Sequence, residues 1–446
     1  MSKARNLHVE ARALHGRLAW IAGVAACLWA VTGLLHPVMT WTAPRPAVQT
    51  PPYNAALTEG LVAPGPALAA AGVSRADLVR LAAVHADRIW IARSGGRINA
   101  VDAVSGAPAK GVLARRAEQL ARYYAGGTKE PLVSIREAHE FSLEYPAINR
   151  LLPVWRVEFG GPQRLAVYVD PMTDRLAAVT DARRRLFLTL FQNVHTLHFL
   201  SPVEPLRKLV ILILIGSALA MSVAGAVMLT RRGAAKGVHG THRLVGWAAA
   251  PIVMMFAATG LFHLFFGHAP PPVEPASFDV RVLTAVPQAG AAERLVASAG
   301  AGDVVWRGET RNGAVYFDLN GAAVALDDAA RARAVAGARD GAVTPVFAYS
   351  DEYGFALKRL PVLRVATAEG PVFVDPLEGL VAGDSLAGAA RVEGWTFDRL
   401  HKFGLLNGLG KRNRDYVSMA FAATVLTAAG LGLWLAWKRR RGRRAL

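Results

Sequence analysis

The chain carries the same pair of histidines in two apolar segments that lie more than two hundred residues apart. His15 and His36 are separated by 21 residues, as are His242 and His263, and Thr-Gly-Leu stands just before the second histidine of each pair. A helix of 21 residues rises about 31 Å, close to the roughly 30 Å of a bilayer's hydrocarbon core. Each segment is therefore predicted to span a membrane with one imidazole at each face.

The composition favours an integral membrane protein. Hydrophobic residues make up 53% of the chain, charged residues only 19%, and the mean hydropathy is +0.27. We expect an α-helical bundle of four core spans because four segments are long and apolar enough to cross a bilayer. These predicted spans are residues 18–41, 206–230, 244–266 and 417–437.

Basic residues in the short segments predict the orientation. They occur in the N-terminal segment 1–17 (Lys3, Arg5, Arg12, Arg17), in the link 231–243 (Arg231, Arg232, Lys236, Arg243) and in the tail 438–446. Basic residues stay on the cytoplasmic side of a membrane, so both termini are predicted to be cytoplasmic. The net charge of +18 then reflects topology and contact with anionic membrane lipid. No basic-aromatic motif accompanies it, so we expect no nucleic-acid partner.

The two long segments between the spans, 42–205 and 267–416, are then predicted to lie outside, which in a bacterium is the periplasm. Alternating apolar runs at Val154–Phe159, Leu165–Val169 and Leu363–Ala366 predict strands, and Arg75–His85 and Ala291–Ala299 are predicted as helices. Each segment is expected to form an α+β domain. The single cysteine, Cys27, lies in the first span, so these domains are expected to fold without disulfides.

The outer segments repeat each other, as the spans do. Residues 168–174 (YVDPMTD) match residues 373–379 (FVDPLEG), and looser copies surround Asp102 and Asp318. Each copy is an apolar strand that runs into an Asp-led turn, and such an Asp more often bonds its own backbone than a cation. The whole chain is therefore predicted to be an internal duplication.

An amphipathic segment with histidine precedes the second and fourth spans. Residues 183–200 contain Leu197-His198, and residues 391–409 contain Leu400-His401. Basic residues follow on the outer side, against the usual charge rule: Arg207, Lys208, Lys411 and Arg412. They either bind an anion, such as a haem propionate or an acidic substrate, or extend to the membrane interface, and the sequence leaves both interpretations open.

Paired histidines at the two membrane faces point to haem, because imidazole is a usual axial ligand of haem iron. The sequence given contains no Cys-x-x-Cys-His motif for covalent attachment, so the haem would be of the b type. Two haems are expected, one at each membrane face. His15 and His242 form the predicted inner ligand pair. The outer pair is predicted as His36 with His263, and His198 with His401 stays open as the alternative. His195 is assigned no partner in the other half.

With these motifs the chain resembles the PepSY-associated transmembrane family, over about Ala13 to Trp437. The resemblance implies a bacterial inner-membrane protein with four core spans and two periplasmic PepSY-like domains. Some members are dihaem reductases of ferric siderophores. The family's histidines would correspond to His15, His36, His242, His263, His198 and His401. The chain departs from the family pattern at Gly16 and Asp174, and no flavin-reductase domain follows the last span, so a separate electron donor (a quinol or a cytoplasmic reductase) is expected.

Three function classes follow from these observations. The first is a haem-dependent membrane oxidoreductase that reduces a ferric siderophore or another ferric chelate for iron acquisition. The second is a transport component for iron or a siderophore, and the third is a non-catalytic PepSY regulator or assembly factor. The spans contain few polar residues, which disfavours transport, and no hydrolase or phosphate-loop signature stands out.

Overall fold

The structure is a computed structural model that divides into two compact units. It describes residues 2–52, 56–149, 151–230, 236–267, 275–289, 291–292, 294–310, 313–348, 350, 352–353, 359–384 and 388–444. The helical unit comprises Met1–Ala43, Arg183–Pro270 and Leu386–Leu446. The sheet unit comprises Pro44–Ala182 and Pro271–Ser385.

Nine α-helices are formed by the described residues. They are α1 (Ser2–Trp41), α2 (Pro64–Ala70), α3 (Val112–Tyr124), α4 (Ala182–His195), α5 (Glu204–Leu229), α6 (Gly237–Phe266), α7 (Asp328–Ala336), α8 (Gly388–Thr396) and α9 (Lys411–Arg444). Two short 3-10 helices precede α5 and α9, at His198–Val203 and Gly404–Leu409. A π-helical turn, Phe397–His401, follows α8, and such turns are frequent at functional sites.

Four helices are long and apolar enough to cross a membrane, which confirms the expected membrane helical core. The candidate spans are Asn6–Trp41, His198–Leu229, Gly237–Phe266 and Lys411–Gly442. Each candidate span contains one predicted span, except that α5 ends at Leu229, one residue before the predicted end. The helices extend beyond the apolar segments from which the spans were predicted. Arg231 and Arg232, used to predict the orientation, lie outside the described residues.

The four long helices form a ring. Helix α1 packs against α5 and α9, and α6 packs against the same two helices, so α1 and α6 stand at opposite corners. Small side chains allow this close packing: Ala26 and Ala30 of α1 are buried against Ile252 of α6 and Ala429 of α9. Residues on the inner faces of α1 and α6 can therefore meet across the ring.

The sheet unit contains nineteen short strands among the described residues. They are β1 (Ala56–Leu57), β2 (Arg75–Ala76), β3 (Leu78–Val84), β4 (Asp87–Ser94), β5 (Arg97–Asp102), β6 (Leu132–Ala138), β7 (Val154–Phe159), β8 (Ala166–Asp170), β9 (Arg175–Thr180), β10 (Phe278–Asp279), β11 (Ala291–Ala292), β12 (Arg294–Gly300), β13 (Asp303–Thr310), β14 (Gly313–Phe317), β15 (Ala323–Val324), β16 (Val343–Val346), β17 (Val362–Thr367), β18 (Gly370–Asp375) and β19 (Leu380–Asp384).

The two outer segments share one central sheet of seven strands, in the order β15-β14-β13-β12-β3-β4-β5. The join is the antiparallel pairing of β12 with β3, in which Leu295 faces Leu81. Each segment adds a four-stranded sheet of its own, β6-β7-β8-β9 and β16-β17-β18-β19. The segments that the sequence assigns to two domains thus fold as one compact unit.

The predicted strands are confirmed and the two predicted helices are wrong. Residues 154–159 form β7, and the other two runs fall on β8 and β17. The first predicted helix falls on β2 (Arg75–Ala76) and β3 (Leu78–Val84), and the second falls on β11 (Ala291–Ala292) and β12 (Arg294–Gly300). Strands β3 and β12 are almost continuously buried because they lie at the centre of the sheet, so they lack the alternation that marks a half-exposed strand.

The Asp-led turns are confirmed as turns. Asp170 accepts hydrogen bonds from the Met172 amide (2.8 Å) and the Thr173 hydroxyl (2.5 Å), and Asp375 accepts one from the Leu377 amide (3.0 Å). Asp102 and Asp318 bond their own turns in the same way. None of these carboxylates needs a cation to be satisfied.

A buried ion-pair network interlocks the two segments of the sheet unit. Glu378, from the second segment, is 2% exposed and pairs with Arg93 (2.5 Å) and Arg175 (3.2 Å) of the first segment, and also with Arg359. Burial alone would raise the pKa of Glu378, but the charges of Arg359, Arg93 and Arg175 outweigh burial and hold that pKa well below its usual range.

Candidate functional site

Two groups of histidines occupy the helical unit. His15 of α1 and His242 of α6, here called the first histidine pair, face each other across the ring with their ring centres 6.3 Å apart and their planes inclined by 59°. Both side chains are half-buried. The predicted inner pair is therefore brought together, from the two helices that stand at opposite corners.

One neighbour fixes the protonation of His15. Its Nδ1 lies 3.0 Å from the carbonyl oxygen of Met221 in α5. A carbonyl oxygen only accepts, so Nδ1 carries the hydrogen and Nε2 presents a lone pair. Nδ1 of His242 is buried, and the polar group beside this ring is the backbone of Ala428 in α9.

Two glycines leave room beside the first histidine pair. A Cβ atom at Gly225 of α5 would lie 3.5 Å from Cε1 of His15, and one at Gly432 of α9 would lie 3.2 Å from Cε1 of His242. Any larger side chain at either position would occupy the space next to an imidazole. The missing side chains keep both rings approachable.

Four further histidines, His36, His195, His263 and His401, form the second histidine group. His195 ends α4 and His401 ends the π-helical turn, and two residues later the backbone is left-handed in both cases, at Leu197 (φ 50°) and Phe403 (φ 58°). The chain then enters the 3-10 helix that leads to α5 or α9. His195 and His401 thus precede α5 and α9 in the same local backbone arrangement.

A buried threonine holds each of these two imidazoles. Nδ1 of His195 lies 2.9 Å from the Thr32 hydroxyl, and Nδ1 of His401 lies 3.0 Å from the Thr259 hydroxyl. Each hydroxyl donates its one hydrogen to a carbonyl of its own helix, so it accepts from the imidazole. In both residues Nε2 is then the bare nitrogen, as a metal ligand requires.

Phenylalanine rings connect the second histidine group within each half. Phe191 stacks on His195 (4.6 Å between centres, 12°) and contacts His36 more loosely (5.6 Å, 53°). In the other half, Phe397 lies between His263 (4.0 Å, 15°) and His401 (4.7 Å, 18°). The second half forms a continuous stack of three rings.

Burial keeps two members of the group neutral. It lowers the pKa of His195 to about 4, with a smaller contribution from His36. It also lowers the pKa of His401 to about 3, with further lowering by the nearby His195 and His263. Because metal binding needs the neutral imidazole, these two side chains are ready to ligate at physiological pH.

The structure places His198 and His401 in different local surroundings. His198 begins a 3-10 helix, and its Nδ1 contacts the Ser201 hydroxyl (3.1 Å). Its counterpart in the other half is Gly404, and the counterpart of His401 is His195, which the sequence analysis left unpaired. The signal that was missed is Phe-x-x-x-His, which occurs as Phe191–His195 and as Phe397–His401.

Most of the predicted anion-binding residues already have a partner. Arg207 donates to both Glu204 oxygens (2.7 Å each) and to the Thr196 carbonyl, and Lys411 pairs with Asp415 (3.0 Å). Arg412 donates to the Tyr416 hydroxyl, whereas Lys208 is exposed. An anion would have to compete with these contacts, so interfacial anchoring describes this set better.

The first histidine pair has the spacing that a haem needs. A metal–imidazole bond is about 2 Å long and the ring centre lies about 1 Å behind the nitrogen, so two imidazoles on one metal have centres roughly 6 Å apart. The observed 6.3 Å agrees. Among the described residues, no group of three or more His, Cys, Asp or Glu is placed to hold a metal ion.

Comparison with known proteins adds nothing to this geometry. No known family profile and no curated protein matches this chain.

Proposed function

We propose that this protein is a membrane electron-transfer protein that binds two b-type haems. The observation that carries the proposal is the first histidine pair, in which two imidazoles from opposite helices stand at the spacing for a shared iron. The glycines beside both rings support it, since a macrocycle needs the space that a side chain would fill.

The second haem would be held by His195 and His401. Three observations favour this pair over His36 with His263. The two histidines have the same local backbone before α5 and α9, a threonine hydroxyl accepts from Nδ1 of each, and burial lowers the pKa of both. His263 instead bonds a carboxylate and is 48% exposed. His198, the sequence-based alternative, is not proposed as a ligand.

The two sites would give electrons a route along the bundle. Thr32, which holds His195, lies 17 residues from His15 on α1, which is about 25 Å along the helix axis. Phe256 of α6 packs in the interior of the helical unit, between His242 and Thr259 along the same helix. Its ring meets that of His401 edge to face, with ring centres 5.1 Å apart. Because a haem is wide, two bound haems would leave a shorter distance for electrons to cross than the distance between the two histidine sites.

The electron acceptor in this proposal is a ferric siderophore or another ferric chelate, as the family resemblance implies. Reduction releases iron because Fe(II) is a softer and less charged ion that hard oxygen donors hold less tightly. The protein would lie in a bacterial inner membrane with both termini cytoplasmic and the sheet unit periplasmic. A separate donor, a quinol or a cytoplasmic reductase, would supply the electrons.

The polar residues of the spans argue against the transport alternative. The hydroxyls of Ser217, Ser222, Thr32, Thr259, Thr424 and Thr427 all donate to carbonyls of their own helices. They therefore form no hydrophilic path for a ferric chelate, which is large and polar.

The proposal is tested by reoxidation of the reduced protein. Detergent-purified protein, reduced with dithionite and freed of excess reductant, is mixed with a ferric chelate and a chromogenic ferrous trap. We expect the reduced haem bands to decay as the trapped Fe(II) appears, one iron per electron. Haem bands that stay reduced with every ferric chelate but are oxidised by another acceptor would refute the ferric-reductase assignment.

A further inference from the structure

His263 and Glu393 form an imidazole–carboxylate dyad at the end of α6. Nδ1 of His263 is within hydrogen-bond distance of Oε1 of Glu393, a residue of α8. The glutamate side chain is 8% exposed, whereas that of His263 is 48% exposed. A carboxylate accepts the Nδ1 hydrogen, so Nε2 of His263 is a hydrogen-bond acceptor.

The neighbouring residues determine which atoms of the His263 imidazole are exposed. One face lies on Phe397, with ring centres 4.0 Å apart. The Nδ1 edge is closed by Glu393 and by Gly267, where a Cβ atom would come within 2.7 Å of Nδ1. The exposed fraction of His263 therefore belongs to the Nε2 edge and to the opposite face.

This dyad occurs in only one half of the chain. The position that corresponds to Glu393 before α5 is Phe187. The carboxylate near His36 is Asp415 of α9, which accepts from Trp41 and Lys411 instead. The ring of His263 also stacks closely on Phe397, which in turn stacks on His401. The ring of His36 contacts Phe191 at a longer distance. A role that both halves share, such as holding a haem, does not explain the difference.

The dyad lies where a membrane-dissolved ligand could reach it. His263 is three residues from the end of the candidate span Gly237–Phe266. Large apolar side chains of the same helix end and of α8 are exposed: Phe265 (61%), Val392 (54%) and Trp395 (55%). The ligand is thus expected to be apolar in its body and to carry a hydrogen-bond donor.

We propose that the His263–Glu393 dyad binds the headgroup of a membrane hydroquinone. A ring hydroxyl of the hydroquinone donates to Nε2 of His263, and its aromatic ring packs among the exposed apolar side chains. A lipid phosphate fits less well because it is an acceptor and would be repelled by Glu393. The inference rests on the proposed haem function and gives it an electron donor.

The chemistry balances with two one-electron acceptors. Oxidation of the hydroquinone breaks its two O–H bonds and yields a quinone, two protons and two electrons. One proton goes to Nε2 of His263, whose positive charge Glu393 stabilises, and the other goes to water at the exposed edge. The two haems proposed above would be the oxidants, and each would accept one electron. The Phe397 ring connects His263 with His401, which would hold the nearer haem.

Binding of decyl-benzohydroquinone to the detergent-purified full chain tests the inference, with calorimetry as the readout. We expect His263→Phe, which keeps a ring on Phe397 but lacks Nε2, to weaken binding at least tenfold, and Glu393→Gln to weaken it severalfold. His36→Phe is the matched control and should leave the affinity unchanged. Absence of binding to the wild-type chain, equal weakening by His36→Phe, or equal competition by phosphatidylethanolamine would overturn the inference.

The haem spectrum separates this inference from the proposed function. His263→Phe should retain the full haem content of the wild type, and its haem should be reduced at least tenfold more slowly by the hydroquinone. Loss of haem from His263→Phe would make His263 a haem ligand and overturn the inference. Hydroquinone binding by a chain without haem bands would leave the site standing and refute the proposed function.

Discussion

At the scale of single residues, one neighbouring atom decides which nitrogen of each histidine is free. Met221, Thr32 and Thr259 each accept from an Nδ1, and each leaves Nε2 bare. Such outer partners fix the tautomer and the orientation of a metal-binding imidazole. This property distinguishes His195 and His401 from His198, although all three stand beside leucine or valine in similar sequences.

The first prediction compares His195 with His198. His195→Ala should remove about one haem equivalent per chain, because the second haem would lose an axial ligand, whereas His198→Ala should remove none. Haem is quantified by its pyridine complex against protein concentration. Loss of haem from His198→Ala alone would restore the sequence-based pairing and contradict the one proposed above.

At the scale of elements, the four membrane-spanning helices could be predicted from the sequence much better than the central strands of the sheet unit. Hydropathy and the 21-residue frame identify all four long helices and the meeting of His15 with His242. The segments at 75–85 and 291–299 were assigned wrongly because a central strand buried on both faces has no alternation to distinguish it from a helix. His195 was missed because the sequence analysis aligned Leu197-His198 with Leu400-His401. That alignment is shifted by three residues from the one that matches His195 with His401.

A second prediction concerns the space that α9 leaves beside His242. A leucine at Gly432 would occupy the volume next to the imidazole, where even a Cβ atom would be 3.2 Å from Cε1. Gly432→Leu should therefore lose the first haem and keep the second. Gly430→Leu is the matched control in the same helix, since nothing lies within 4 Å of a Cβ there, and it should retain both haems. Equal haem content in the two variants would show that the glycine has no bearing on the site.

At the scale of the whole molecule, the pairing of β3 with β12 could not be predicted from the sequence. Leu81 and Leu295 are 214 positions apart, and neither strand carries a local signal for its partner. The internal repeat instead suggested two separate domains. Only the side chains of both segments together fill the core around Trp90 and Trp306, whose ring centres are 5.7 Å apart.

The third prediction tests how strongly Glu378 ties the segments together. Glu378→Gln removes one buried negative charge from Arg93, Arg175 and Arg359, which keep only Asp77 and Asp375 as partners, and should destabilise the protein by about 3 kcal/mol. Glu352→Gln, which breaks an exposed pair with Arg364, should cost about 0.5 kcal/mol. Both are measured by denaturant unfolding in detergent, followed by tryptophan fluorescence. Similar losses in the free energy of unfolding for the two variants would contradict a stabilising role for the Glu378 ion pairs.

The depressed pKa of Glu378 gives the same contact a pH dependence. Because the folded-state pKa lies below the unfolded value, the stabilisation is fully present above about pH 4.3 and is lost as the pH falls through the folded pKa. The wild-type chain should therefore lose stability in acid more steeply than Glu378→Gln. Parallel stability curves for the two proteins between pH 5 and pH 3 would argue against this assignment.

The fourth prediction concerns the sidedness of the molecule. An alkaline phosphatase fusion at residue 120 or 340, in either segment of the sheet unit, should be active, because that enzyme works only after export. A fusion after residue 444 should be inactive. The opposite pattern would place the sheet unit in the cytoplasm and remove the basis for reduction at the outer face.

The absorption spectrum of the detergent-purified chain, before and after dithionite, tests the central claim most directly. Two haems with paired imidazole ligands predict a Soret band, sharp visible bands on reduction and about two haem equivalents per chain, falling to about one in His15→Ala. A purified, folded chain with no Soret band would contradict the account.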